Sequence, residues 1–228
     1  HGIEFTISSK NIQSKDFSWN TDFIFSKAKN EVTELNARSS VMDLVSGYGF
    51  ARQGYPVRGL FSIPFVGLSS NGIPMYNING KITSTDIDFQ TRDNIDYLKY
   101  EGPTDPTITG SFGNIFTYKA FKLNVFITYS FGNVVRLNPC FNYQYSDLSS
   151  MPREFKNRWT VPGDEKHTNI PAIISKRQYE DNKDLMYAYN AYNYSTERIA
   201  KGDFIRMKEI SLSYDFPKSW LTSAKISN

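Results

Sequence analysis

Apolar and polar side chains alternate along this chain with a period of two, which predicts strands that each have one oily face. Ile3, Phe5 and Ile7 alternate with Glu4, Thr6 and Ser8, and Phe17, Trp19, Thr21, Phe23 and Phe25 alternate with Ser18, Asn20, Asp22, Ile24 and Ser26. A third stretch, residues 110–116 (GSFGNIF), is softened by glycine. The fourth is the most regular: Phe121, Leu123, Val125, Ile127, Tyr129 and Phe131 oppose Lys122, Asn124, Phe126, Thr128 and Ser130. A fifth lies within 202–217 (GDFIRMKEISLSYDFP) and sets Ile210, Leu212, Tyr214 and Phe216 against Ser211, Ser213 and Asp215. There Ile205 and Met207 fall on the wrong parity, which calls for a β-bulge or for an outer part that rises above the remainder. A sixth strand is expected to begin at 224–226 (AKI).

The connections alternate as well. Segments 14–16 and 118–120 are three residues each, whereas 33–109 is 77 residues and 132–201 is 70. A soluble sandwich has no reason to alternate its connections so extremely. A transmembrane β-barrel does, because its strands run up and down between tight periplasmic turns and long outer loops. On that reading Phe17, Trp19, Phe121, Tyr214 and Phe216, at the short-turn ends, form an aromatic girdle. The alternation by itself also fits the buried layer of a soluble antiparallel sheet. Five or six strands do not close a membrane barrel, which needs about eight or more, so the chain is expected to be a piece of something larger.

Composition removes other classes. Only 39% of residues are hydrophobic, 15% are aromatic, and the charge of +3 is interspersed, so no basic footprint for nucleic acid exists. One cysteine, Cys140, excludes an internal disulfide framework, and two histidines, His1 and His167, far apart, supply neither a zinc site nor a catalytic triad. No cofactor, metal or enzymatic activity is expected. No apolar run approaches the ~20 residues of a membrane helix, and the first residues are not a signal peptide.

Four stretches, in order along the chain, carry a family resemblance. GDFIRMKEISLSYDFPKSW is similar to the late-barrel segment of SusC-like (RagA-type) TonB-dependent transporters, with Phe204, Arg206, Lys208, Ile210, Leu212, Tyr214 and Pro217 in matching order. EGPTDPTITGSFGNIFTYKAFKLNVFITYSFGN resembles the family's G-G-x-x-N-x-x-x-Y-K-x-F-x-L hairpin, NRWTVPGDEKHTNIPAI its R-W-x-x-P-G-D loop, and the opening GIEFTISSKNIQSKDFSWN its G-V-E…N…F-x-W hairpin. The resemblance implies an all-β, antiparallel transmembrane barrel of about 22 strands. Residues 1–228 would be a C-terminal portion of it, with plug and last strands absent. It further implies TonB-coupled import of oligosaccharides or peptides across the outer membrane of a Gram-negative bacterium. A SusD-like surface lipoprotein would serve as lid, and TonB would act through the absent N-terminal plug. The alternative is a soluble or surface-exposed β-rich module that binds glycans or adheres through its aromatic loops.

The segment 132–201 concentrates Tyr143, Tyr145, Trp159, Tyr179, Tyr187, Tyr189, Tyr192 and Tyr194, with Asn190 and Asn193 interleaved. Flat rings beside hydrogen-bonding groups suit ligand capture, a lid interface, or packing between loops. Tyr143, Tyr145, Trp159, Tyr187, Tyr189, Tyr192 and Tyr194 are the candidate ligand or lid contacts, 187–194 being the best single stretch. Trp159 is expected to plug its loop, with Pro162-Gly163 as a turn. Asn77-Ile78-Asn79-Gly80 stands where relatives often carry an acidic calcium-type turn, but lacks the carboxylates and reads as a simple turn.

Overall fold

The computed structural model describes residues 1–47, 51–141, 152–217 and 220. The chain opens with β1 (Gly2–Gln13) and β2 (Phe17–Ala28). It then departs into a long excursion holding α1 (Val41–Ser46), β3 (Gly59–Ser62), β4 (Phe65–Leu68), β5 (Pro74–Ile78), β6 (Lys81–Thr83) and β7 (Lys99–Pro103). It returns as β8 (Ile108–Tyr118) and β9 (Phe121–Phe131). A second excursion carries β10 (Val134–Arg136), α2 (Lys176–Asp181), α3 (Leu185–Asn193) and β11 (Ile199–Lys201), before β12 (Phe204–Tyr214). Among the described residues no helix is long and apolar enough to cross a membrane. The expected sixth strand at 224–226 lies outside the described residues.

β1, β2, β8, β9 and β12 form one antiparallel sheet in the order β1-β2-β8-β9-β12. Its register stacks the apolar positions in rows. Ile12, Trp19, Phe116, Leu123 and Leu212 face one another across the five strands, as do Ile7, Phe23, Phe112, Ile127 and Met207. The other face is polar throughout most of its area and internally hydrogen-bonded, for example Ser8 Oγ to Asp22 Oδ1 at 2.6 Å and Gln13 Nε2 to Asn20 Oδ1 at 2.9 Å. The parity break in β12 is a β-bulge: the pairing shifts between Met207 and Glu209 and leaves Lys208 over. Ile205 and Met207 therefore face the same side as Ile210, Leu212 and Tyr214. β1 has a like bulge between Lys10 and Ile12, at Asn11. Much of the apolar face has nothing over it: Ile3, Ile205, Ile210 and Leu212 are each at least 67% exposed.

The tight turns at 14–16 and 119–120 lie at one end of this sheet, where the Lys119 N–H donates to the Asp16 carbonyl at 2.8 Å. The strand ends that lead into the excursions, Lys27, Ile108 and Phe131, pair with one another at the opposite end. Gly110 lets Tyr129 lie across β8, so that its hydroxyl reaches the Ile24 carbonyl of β2 at 2.9 Å. Any side chain at Gly110 would overlap both the phenol and that carbonyl.

The two excursions, residues 30–105 and 133–201, fold together as a second compact unit rather than as two separate loops. One core gathers Val41, Leu44 and Val45 of α1 with Phe61, Ile63, Tyr76, Ile87 and Phe89. A second gathers Phe141, Phe155 and Ile174 with Leu185, Ala188, Tyr189 and Tyr192 of α3. Residue Ile63 seals the excursions together, its N–H donating to the Tyr194 carbonyl and its carbonyl accepting from the Thr196 N–H. Arg136 bridges further: its guanidinium donates to the carbonyls of Val45 (2.9 Å), Phe61 (2.6 Å) and Ser195 (3.3 Å). Burial pushes its pKa down to about 10, which leaves it charged at neutral pH.

Candidate functional site

Within the second unit, α1, the strand-free stretch 87–90 and α3 enclose a cavity of about 470 Å³. Met42, Phe89, Phe141 and Met186 make its apolar floor and walls, and Asp88, Gln90, Tyr187 and Asn190 bring polar groups to it. A concave, largely apolar site with a few converging polar groups is the usual form of a binding pocket. The floor is held by the first core, where Ile87 and Phe89 are buried, and the wall by α3.

α3 assigns the aromatic stretch its roles by helical geometry. Leu185, Ala188, Tyr189 and Tyr192 recur at i, i+3, i+4 and i+7 and form the buried stripe. Tyr189 is 1% and Tyr192 3% exposed, both packed edge-on against Phe141. Burial pushes the Tyr192 phenol well above its ordinary value. Tyr194 is half-buried against Phe89 and the Arg136 guanidinium. Tyr187, on the opposite side of the helix, is 41% exposed and reaches the cavity. The structure thus divides the candidates: Tyr187, with Asn190, is presented at a surface, while Tyr189, Tyr192 and Tyr194 are engaged in packing. Asn193 is structural too. Its Oδ1 accepts from the N–H groups of Cys140 and Phe141, and its Nδ2 donates to the Phe141 carbonyl at 2.8 Å. Tyr143 and Tyr145 lie outside the described residues.

Trp159 points inward. Its indole N–H donates to Glu165 Oε2 at 3.1 Å, and its ring lies so close over Gly72 that a Cβ there would overlap it. Pro162-Gly163 turns the chain, with the Asp164 N–H donating to the Val161 carbonyl at 3.1 Å. The Asp164 carboxylate accepts from the N–H groups of Thr160 and Val161 and from the Thr160 hydroxyl, and these bonds hold its pKa below the ordinary carboxylate range. At Asn79-Gly80 the chain makes a tight hairpin turn between β5 and β6, both residues at positive φ and the Gly80 N–H bonded to Asn77 Oδ1.

The aromatic stretch lies in the second excursion, and the first supplies the facing part of the cavity through Met42 and residues 87–90. Stretch 87–90 (IDFQ) carries its own signal, since Ile87 and Phe89 alternate with Asp88 and Gln90 and put apolar groups inward and polar groups outward.

No family model matches the chain. It is similar to two receptors of Formosa agariphila. One is TonB-dependent receptor P3, 26% identical over 250 residues, covering 96% of this chain and 22% of the receptor. The other is TonB-dependent receptor P39, 24% identical over 259 residues, covering 94% and 24%. Among solved structures, the RagAB peptide transporter matches 96% of this chain and 23% of its own with a TM-score of 0.67 and 19% identity. The RagAB peptide importer in its closed-closed state matches the same shares with a TM-score of 0.66 and 20% identity. The likeness to RagAB is one of fold. The chain spans less than a quarter of the length of these proteins.

Proposed function

We propose that this chain, a SusC/RagA-like segment of TonB-dependent-receptor type, forms part of the barrel wall and outer surface of an active importer in the outer membrane of a Gram-negative bacterium. The observation that carries this reading is the apolar face whose paired rows, such as Ile12-Trp19-Phe116-Leu123-Leu212 and Ile7-Phe23-Phe112-Ile127-Met207, extend across the breadth of the five-stranded sheet. At ~3.3 Å per residue and a tilt of about 40°, its eleven-residue strands would cross roughly 25 Å, the height of a barrel's apolar band. Two further strand neighbours are needed, because the outer edges of β1 and β12 would otherwise leave backbone groups unpaired in lipid. Closure at about 22 strands, a plug, and energy supplied by TonB through that plug belong to the same reading.

The body built from the two excursions then stands at the outer surface, where nutrient is captured and a SusD-like lipoprotein would close over the mouth. Its cavity supports a peptide as cargo over an oligosaccharide. Met42, Met186 and Phe141 offer more contact to an apolar amino-acid side chain than to the hydroxyl-rich edge of a sugar, and Asp88, Gln90 and Asn190 are at hand for a peptide's amide groups. Tyr187→Ala and Asn190→Ala in the full-length receptor test the assignment. Peptide binding is expected to weaken about tenfold, the loss of one or two good contacts, with the lipoprotein still co-purifying. Lost co-purification with unchanged peptide binding would make the cavity a lid seat. No change in either would remove it from the pathway.

A further inference from the structure

Three residues singled out by the family motifs of two separate hairpins meet in space. Asn11 and Trp19 come from the opening hairpin and Asn114 from the second, and Thr21 stands between them. The Ser9 hydroxyl donates to Asn11 Oδ1 at 2.8 Å, Asn11 Nδ2 donates to Thr21 Oγ1 at 2.6 Å, and the Thr21 hydroxyl donates to Asn114 Oδ1 at 2.8 Å. The Trp19 indole N–H donates to the same Asn114 oxygen at 2.9 Å, its ring stacked on Phe116 at 5.7 Å. Asn114 is 7% exposed. Its row lies between the row of Ile12, Trp19 and Phe116 and that of Ile7, Phe23 and Phe112. A polar chain therefore runs across three strands inside the apolar face, at the level where β1 carries its extra residue.

The position of that bulge matters. From Gly2 to Lys10 the pairing with β2 follows one register, and at Ile12 it has shifted by one. Without the extra residue Ile7 would stand opposite Ile24, and Ile3, Phe5 and Ile7 would turn to the polar face. Asn11 is the extra residue, and its side chain is held to β2 and, through Thr21, to β8. We propose that Asn11, Thr21 and Asn114, covered by Trp19, form a clasp within the apolar face that holds the bulge of β1 and so decides which side chains of that strand face outward. The clasp satisfies groups that would be costly in hydrocarbon, which is why a polar row is tolerated there. That last point rests on the membrane reading, whereas the register role does not.

Disulfide trapping in the full-length receptor separates the two. In the native register Thr6 opposes Ile24, so the pair Thr6→Cys/Ile24→Cys should cross-link and Ile7→Cys/Ile24→Cys should not. In the Thr21→Val/Asn114→Leu background, which removes both acceptors and preserves bulk, cross-linking of the second pair should rise at least tenfold relative to the first. Asn11→Ala, which removes its bonds to Ser9 and Thr21, and Trp19→Phe, which removes the indole bond to Asn114, should shift the ratio in the same direction but less, and they carry the test should the double variant fail to assemble. A ratio unmoved in every variant overturns the clasp, whatever the sheet faces. Slippage in a sheet that proves not to lie in lipid would keep the clasp and overturn the membrane reading alone.

Discussion

Val125→Arg places a cation near the middle of the apolar face. Val125 shares a row with Asn114 and Ile210, four residues along β9 from Phe121 at the turn end and six from Phe131 at the other. At ~3.3 Å per residue and a tilt of about 40°, it lies about 10 Å from the first level and about 15 Å from the last, close to the midplane. Arginine there should cost about 2 to 4 kcal/mol, a fall in the folded-to-unfolded ratio of between roughly 30-fold and several-hundred-fold. The neighbouring Asn124 points to the polar face, where its Nδ2 donates to Glu209 Oε1 at 2.9 Å. Asn124→Arg sets a cation beside that carboxylate and should cost under about 1 kcal/mol. The assay is denaturant titration of the full-length receptor refolded in lipid vesicles, read by heat-modifiable mobility. Equal losses at the two positions would refute placement of this face in lipid.

Three other outcomes follow from the packing. Gly110→Ala should destabilise the sheet by about 1 to 3 kcal/mol, because Tyr129 and the Ile24 carbonyl occupy the space a methyl needs; Tyr129→Phe, which loses one hydrogen bond, should cost about 1 kcal/mol. Arg136→Met should destabilise the body formed by the excursions by about 3 kcal/mol, since the carbonyls of Val45, Phe61 and Ser195 each lose a donor, and limited proteolysis should then cut 30–105 and 133–201 while sparing the sheet. Asp164 and Glu165 are both held below ordinary carboxylate values, Asp164 by the N–H groups of Thr160 and Val161, Glu165 by its own N–H, that of Gly163 and the Trp159 indole. Their contribution is present above the ordinary carboxylate range and is lost as pH falls through their depressed values, so the change in tryptophan emission that Trp159→Phe abolishes should occur on the acid side of ordinary carboxylate titration.

The sheet was legible because period-two alternation survives wherever one face must be apolar. The stretch beginning at Phe121 gave β9 to the residue, and the parity conflict at Ile205 and Met207 was itself the mark of the bulge at Lys208. The bulge in β1 was less visible, since Ser9 and Asn11 are polar and Ile12 alone resumes the apolar pattern. The excursions were read as long connections, yet they fold into one body. Their strands are three to five residues long, too short for a period to show, and the pairs β3-β7 and β10-β11 join segments far apart in sequence. α3 is obscured for another reason: tyrosine and asparagine are indifferent helix formers, and rings on both sides of the helix blur the spacing of Leu185, Ala188, Tyr189 and Tyr192. Ring content does not divide that stretch, whereas burial separates Tyr187 from Tyr189 and Tyr192.

The junction at Ile63 also sets an order of events. Its partners Tyr194 and Thr196 are made only after the whole β8-β9 hairpin, as is Ala188, whose carbonyl accepts from the Tyr76 hydroxyl 112 residues upstream. Contacts of such sequence separation close slowly, because their loop entropy is lost before they return any stabilisation. In a chain delivered from its N-terminus, Ile63 and Tyr76 of residues 30–105 wait for these partners until 185–196 arrives. Biogenesis of this protein therefore passes through a stage in which that half-built core still lacks its cover from α3.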